Sequence, residues 1–328
     1  MRRPVGHGCP GLIGAFFYLA DYLYVGHGII VGMRTMEFES IDDVKSRLAA
    51  AGYLASDQVA TTVYLASELG KPLLIEGPAG VGKTALAQAV AKACSADLVR
   101  LQCYEGVDEA RALYEWNHAK QLLRITAEKD ADHTSWDQTR DNIFSEEFLL
   151  SRPLLTAIRS ESPTVLLIDE TDKADVEIEG LLLEVLGEFQ VTIPELGTIT
   201  ARHRPFVVLT SNATRELSEA LRRRCLFLHV DFPDADLERE IVSLQVPGLD
   251  ATLAESLVRV VNALRGMPLR KVPSVSESID WARTLVALGA DILDDEVVSD
   301  SLGVILKHQD DLAKARERLS LDEVLATP

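Results

Sequence analysis

The sequence predicts an α/β fold, a parallel sheet with helices on both faces, followed by a smaller all-helical domain. Three observations carry that reading. Short apolar runs at 72–75, 98–102, 164–168, 206–210 and 226–230 alternate with helix-patterned segments, as strands of a parallel sheet alternate with their crossovers. A glycine-rich turn, residues 77–84, stands between the first run and the helix after it. Beyond Phe232-Pro233 the apolar runs stop and only helical patterns follow.

Taken in order, the chain begins with an apolar stretch, residues 11–32, preceded by Arg2 and Arg3. It is long enough for a bilayer span, but Asp21 sits inside it and its five glycines weaken it as a helix. Export of everything downstream would also separate the chain from cytosolic nucleotide. Residues 1–35 are therefore expected to be an extension outside the fold, with Met33 and Met36 following closely. Ser40 reads as an N-cap for a helix whose apolar face is Ile41, Val44, Leu48 and Ala51. A second helix, 57–69, is closed by Gly70.

After the strand at 72–75 come a helix over 83–94 and the strand at 98–102. Residues 108–129 are charged and read as helical, 130–142 as a polar surface insertion, and 148–158 as a helix. The run at 164–168 has no polar interruption, as a strand buried on both faces should not. A helix over 177–187, a hairpin (190–193 with 198–201) and the strands at 206–210 and 226–230 complete the sheet domain, 36–232. Helices over 235–245, 253–265, 274–288 and 294–307 make the second domain, 233–328.

Composition narrows the function classes. The 33 basic and 51 acidic residues give a formal charge of −18. Such a field repels phosphate backbones, so nucleic acid is a poor partner, and a membrane is not an expected one. The four cysteines, Cys9, Cys94, Cys103 and Cys225, have no metal spacing. They read as buried thiols of a reducing compartment, and the expected location is cytoplasmic.

The turn Gly77-Pro78-Ala79-Gly80-Val81-Gly82-Lys83-Thr84 has the G-x-x-x-x-G-K-[ST] pattern between a strand and a helix. Glycines let successive backbone N–H groups converge on phosphate oxygens, and the next helix aims its positive end there. Lys83 is expected at the β- and γ-phosphates of ATP and Thr84 on Mg²⁺; Ala85 completes the binding set. The run Val165–Ile168 ends in Asp169 and Glu170, delivered at the carboxyl edge of the sheet. Asp169 is expected to hold Mg²⁺ through water and Glu170 to act as general base on the attacking water. A paired Asp-Glu favours hydrolysis over transfer to a small molecule.

Asn212, at the end of the neighbouring strand, is placed to position that water. Arg222, Arg223 and Arg224 close a short helix, and three guanidiniums on an acidic protein ask for an anionic target. Arg224 first and Arg223 second are assigned to the γ-phosphate of a neighbouring subunit, which implies a shared site in an oligomer.

Five features, GPAGVGKT, LLIDE, the hairpin before FVVLTSN, EALRRRC and the helical C-terminal part, resemble in order those of the AAA+ superfamily and, within it, the MoxR family. The stretches LVRLQCYEGVDEARALYEWNHAKQLL and PSVSESIDWARTL resemble the accessory ATPases of carbon monoxide dehydrogenase and related molybdenum hydroxylases. The resemblance implies a five-stranded core with a helical lid and a hexameric ring of the chain with itself. It also implies a chaperone-like role on a client metalloenzyme, with a von Willebrand factor A-domain protein as partner. Tyr53 and Leu54 would lie at the adenine, and the 190–201 hairpin would face the ring centre.

One feature departs from the family. Where the lid of such proteins carries a second sensor arginine, this chain has Ser274-Val275-Ser276-Glu277, with Arg270 and Lys271 the nearby cations. A chelatase-type ATPase subunit, a nucleic-acid-linked motor and a slowly hydrolysing nucleotide switch are the competing readings. The charge weighs against the motor. Asp169, Glu170 and Asn212 together weigh against the switch.

Overall fold

A computed structural model describes residues 18–19, 22–25, 28–31, 36–128 and 143–326. It divides into two units, Met1–Arg34 and Thr35–Pro328. In the first, Tyr18–Leu19, Tyr22–Val25 and Gly28–Val31 (β1–β3) form an antiparallel three-stranded sheet. This stretch is long enough for a bilayer span; its described residues are strands. Among the described residues no helix is long and apolar enough to cross a membrane. The insertion at 130–142 and Cys9 lie outside the described residues.

The second unit opens with Ile41–Ala50 (α1), whose N-cap Ser40 accepts from the Asp43 N–H. Asp57–Leu69 (α2) follows and ends on Gly70 in the left-handed conformation. Leu73–Glu76 (β4), Lys83–Ala93 (α3) and Asp97–Gln102 (β5) come next.

The expected long helix over 108–129 is interrupted. Glu109–Ala112 (α4) and His118–Glu128 (α5) flank a strand, Tyr114–Trp116 (β6). The expected helix over 148–158 likewise begins as a strand, Leu149–Ser151 (β7), before Pro153–Arg159 (α6). These two corrections have one cause. Tyr114 and Trp116, residues that favour strands, pair antiparallel with Ser151 and Leu149. Pro153 then restarts the chain as a helix from its first turn, where a missing N–H costs nothing.

Thr164–Asp169 (β8) is buried at every position. Val176–Glu188 (α7), the hairpin Gln190–Ile193 (β9) with Gly197–Thr200 (β10), and Phe206–Ser211 (β11) follow. Glu219–Arg224 (α8) and Leu226–His229 (β12) end the sheet. Five parallel strands stand in the order β12-β4-β11-β8-β5.

Alternation along each central strand builds two cores. Val165, Leu167, Phe206 and Val208 pack with α1, α2 and α3, while Leu166, Ile168, Val207 and Leu209 pack with α6, α7 and the hairpin. A strand buried on both faces cannot sit at an edge, so β8, β11 and β4 are central. The edges expose Leu98 and Phe227.

From Ala235 the described chain is helical: Ala235–Gln245 (α9), Ala251–Arg265 (α10), Val275–Leu288 (α11), Asp295–Ser301 (α12), Gln309–Arg318 (α13) and Leu321–Ala326 (α14). The expected helix over 294–307 is thus shorter, giving way to a 3-10 turn at Leu302–Val304. These helices share a separate core around Trp281, whose indole N–H donates to Ser301 Oγ at 2.7 Å. Glu238 is fully buried and held by Arg265, whose guanidinium also lies 4.6 Å over the Phe232 ring. That stacking joins the helical region to the end of the sheet domain.

Candidate functional site

Parallel strands send their carboxyl ends to one edge, so the residues following β4, β8 and β11 meet there. After β4, residues 77–82 form the glycine-rich loop, and Gly80 and Gly82 both adopt the left-handed region. Gly77 is needed for space, because a Cβ there would stand 2.0 Å from the Val230 carbonyl oxygen. Lys83 opens α3 and is 7% exposed. Its Nζ donates to the carbonyls of Gly77 and Pro78, both at 2.7 Å, and to Asn212 Oδ1 at 2.8 Å. Burial pulls this ammonium below its ordinary value, against the opposing pull of Asp172, Asp169 and Glu170.

Thr84 Oγ1 donates to Asp169 Oδ1 at 3.0 Å, which joins the glycine-rich loop to the end of β8. Asp169 is 3% exposed and takes two further donors, Thr210 Oγ1 on Oδ1 and Arg100 Nη2 on Oδ2, each at 2.5 Å. Glu170 adopts the left-handed region and its N–H donates to Thr210 Oγ1 at 3.0 Å. Its carboxylate pairs with Lys173 one turn on, which raises the Lys173 ammonium above its ordinary value. The structure therefore brings Lys83, Thr84, Asp169, Glu170 and Asn212 to one edge.

A cavity of about 410 Å³ adjoins the loop. Tyr53 and Leu54 line it together with Gly80, Val81, Gly82 and Ala85. The Tyr53 ring lies over the loop, 3.6 Å from where a Gly82 Cβ would be, and burial pushes its hydroxyl up to about 12. The size suits a nucleoside, and the apolar walls suit a base.

The arginines of α8 do different things. Arg222 pairs with Glu76, immediately before the loop, at 2.7 Å. Arg223 is 77% exposed and contacts Glu219 on its own helix. Arg224 donates to the Leu183 carbonyl of α7. The described contacts of Arg223 and Arg224 are thus with their own surroundings and not with the glycine-rich loop.

Residues 73–233 match the family model described as "ATPase family associated with various cellular activities (AAA)". This segment is an AAA ATPase domain. The chain around the AAA domain is similar to an uncharacterized protein of Staphylococcus haemolyticus, 26% identical over 226 residues that span 67% of this chain and 77% of that one. An uncharacterized protein of Staphylococcus saprophyticus is 25% identical over 227 residues, 67% of this chain and 78% of that one. Among solved structures, a mutant of Thermotoga maritima RuvB is 19% identical, covering 85% of this chain and 74% of that one, with a TM-score of 0.45.

Several residues of the AAA domain's site escaped sequence reasoning. Arg100 lies mid-strand in β5, and only the neighbouring β8 turns it into a partner of Asp169. Asp172 is 3% exposed and accepts from the N–H groups of Asn212 (3.2 Å) and Thr214 (3.1 Å) and from Thr214 Oγ1 (2.5 Å). Burial works against its carboxylate, but these donors prevail and hold it below the ordinary value. A third acid, two places past Glu170, was the signal available for it.

At the lid position noted above, the Ser276 N–H donates to the Gly80 carbonyl at 3.1 Å. The α11 N-terminus packs so closely there that a Gly80 Cβ would lie 2.3 Å from Ser274 Oγ. Lys271 pairs with Glu277 at 2.9 Å, and the Arg270 N–H donates to Asp311 at 2.8 Å.

Proposed function

We propose that this chain hydrolyses ATP, with Mg²⁺, in an oligomeric ring of its own copies. One observation carries the reading: Lys83, at the mouth of the glycine-rich loop, is joined at 2.8 Å to Asn212, while Thr84 is joined at 3.0 Å to Asp169. A cation, an amide and a hydroxyl–carboxylate pair at the edge of one sheet fit a metal-bound triphosphate. The metal, held by Thr84 and Asp169, would offset the charge of the phosphate oxygens.

The chain's own residues supply the rest. The N–H groups of the loop and α3 bind the phosphates, and Lys83 exchanges its carbonyl partners for phosphate oxygens. Glu170 takes a proton from the attacking water, and Asn212 orients that water against the γ-phosphate. Tyr53 and Leu54 hold the base. Arg223 and Arg224, on α8, are assigned to the γ-phosphate of the adjacent copy.

The finer reading follows the sequence resemblance: a MoxR-type cytoplasmic chaperone that matures or remodels a metalloenzyme, working with a von Willebrand factor A-domain protein. The sheet domain (36–232) would drive a helical lid (233–328), with residues 1–35 apart from both. The charge of −18 supports a protein client over nucleic acid.

The test is phosphate release by the purified chain with Mg²⁺ and ATP, followed by capture of partners with the Glu170→Gln variant held in its ATP-bound state. Failure to release phosphate above buffer would end the ATPase reading. Capture of nucleic acid in place of a metalloenzyme would end the chaperone reading alone.

A further inference from the structure

Helix α7 carries an acid where a core residue is expected. Glu179 is 3% exposed, next to the buried Ile178 and one turn from Leu182. Its carboxylate is paired with Arg215 and accepts the Ser218 N–H at 2.9 Å. Arg215 also donates to the Ala174 carbonyl at 2.5 Å. Ser218 is the N-cap of α8, the helix that bears Arg222, Arg223 and Arg224.

The far end of α8 returns to the same helix. Arg224 donates to the Leu183 carbonyl, and a Cβ on Gly187 would stand 2.9 Å from Arg224 Nη1. Glu179, Leu183 and Gly187 follow at intervals of four, so they form one stripe along α7. That stripe grips α8 at its start and at its end. The segment leading into α8 is held as well, because Asp172 accepts from the N–H groups of Asn212 and Thr214. From the amide beside Lys83 to the last arginine, the chain is therefore fastened to residues 172–187.

Desolvation of the nearly buried Glu179 offsets much of its attraction to the partly exposed Arg215, and the best-attested use of such a pair is to specify one arrangement. We infer that Glu179 and Arg215 are positioning residues for ATP hydrolysis: they fix α8 in register with Asn212, so that its arginines reach the γ-phosphate of the adjacent copy. The inference rests on the proposed shared site, in which those arginines act on a neighbour.

The test uses the full-length chain and the Glu179→Leu variant, assayed well below its melting temperature, because the Ser218 N–H and Arg215 lose a carboxylate acceptor in it. Its kcat should fall about tenfold or more while KM for ATP stays within about twofold, because its own nucleotide cleft is intact. The decisive measurement mixes Glu179→Leu with Glu170→Gln, each impaired alone. A Glu179→Leu subunit keeps its base and a Glu170→Gln subunit keeps its arginines. A quarter of adjacent pairs then join the two in the working order, and a 1:1 mixture should regain roughly a quarter of the parental rate.

Arg223→Ala/Arg224→Ala mixed with Glu170→Gln serves as control. If the control mixture recovers and the Glu179→Leu mixture does not, the positioning role is overturned while the shared site stands. If Arg223→Ala/Arg224→Ala is fully active by itself, the shared site falls and the inference falls with it. Undiminished turnover by Glu179→Leu alone would also overturn it.

Discussion

The Lys83 ammonium lies 2.8 Å from Asn212 Oδ1, although the two residues are 129 positions apart. One follows β4 and the other follows β11, and these strands are neighbours in the sheet. The contact ties the loop that would grip a triphosphate to the amide that would read its last phosphate. Lys83→Ala should abolish nucleotide binding. Asn212→Ala should leave binding within a few-fold and lower kcat by about 10–100-fold, the split expected of a group that acts on the transition state. Titration with a fluorescent ATP analogue alongside phosphate release separates the two.

Glu170→Gln keeps the shape of the side chain and removes its basicity. Nucleotide affinity should be unchanged and turnover lost, because Asp169 and Asp172 at this edge each accept three or more hydrogen bonds, whereas the Glu170 carboxylate has Lys173 as its described donor. Parental turnover by this variant would remove Glu170 from the reaction.

Gly80→Ala places a methyl 2.3 Å from Ser274 Oγ in a backbone region that L residues rarely adopt. The α11 N-terminus must then move off the loop. Lower thermal stability and weaker ATP binding are expected together. A variant with unaltered melting and affinity would show that the Gly80–Ser276 contact carries nothing.

Asp172 is held below its ordinary value of 3.8, so its sign is that of a depressed carboxylate. The stabilisation it contributes is fully present above the unfolded value and fades as pH falls through the folded one. Asp172→Asn should thus be less stable than the parent by a similar margin at pH 7 and 5, and by a smaller one at about pH 3. Denaturant unfolding at the three values reads the margin. A margin that does not shrink in acid would assign the effect to packing.

Arg100 is half-exposed and pairs with a nearly buried Asp169. Arg100→Ala leaves that carboxylate with only hydroxyl donors, at a cost of about 1 kcal/mol after solvent screening. Differential scanning should record a lower Tm without ligand, and added Mg²⁺ with ATP should narrow the gap. A gap that widens with ligand would place Arg100 on the nucleotide instead.

The strands at β4, β8 and β11 were legible because unbroken apolar runs have few other uses, and the loop at 77–84 because its glycines and lysine stand at fixed spacing. The helix expected over 108–129 failed for the opposite reason. Its interruption depends on Tyr114–Trp116 meeting Leu149–Ser151, a pairing that no local window contains.

Asp169 and Glu170 announced themselves by following an apolar strand. Arg100, Asp172, Glu179 and Arg215 did not, since a charged residue outside a spaced motif usually faces water. Sequence by itself determined the class of fold and the residues that would meet a phosphate, because local spacing encodes backbone shape and strand burial directly. Only the tertiary structure decided which charges are buried against which partners, because desolvation and pairing are set by neighbours that are distant along the chain.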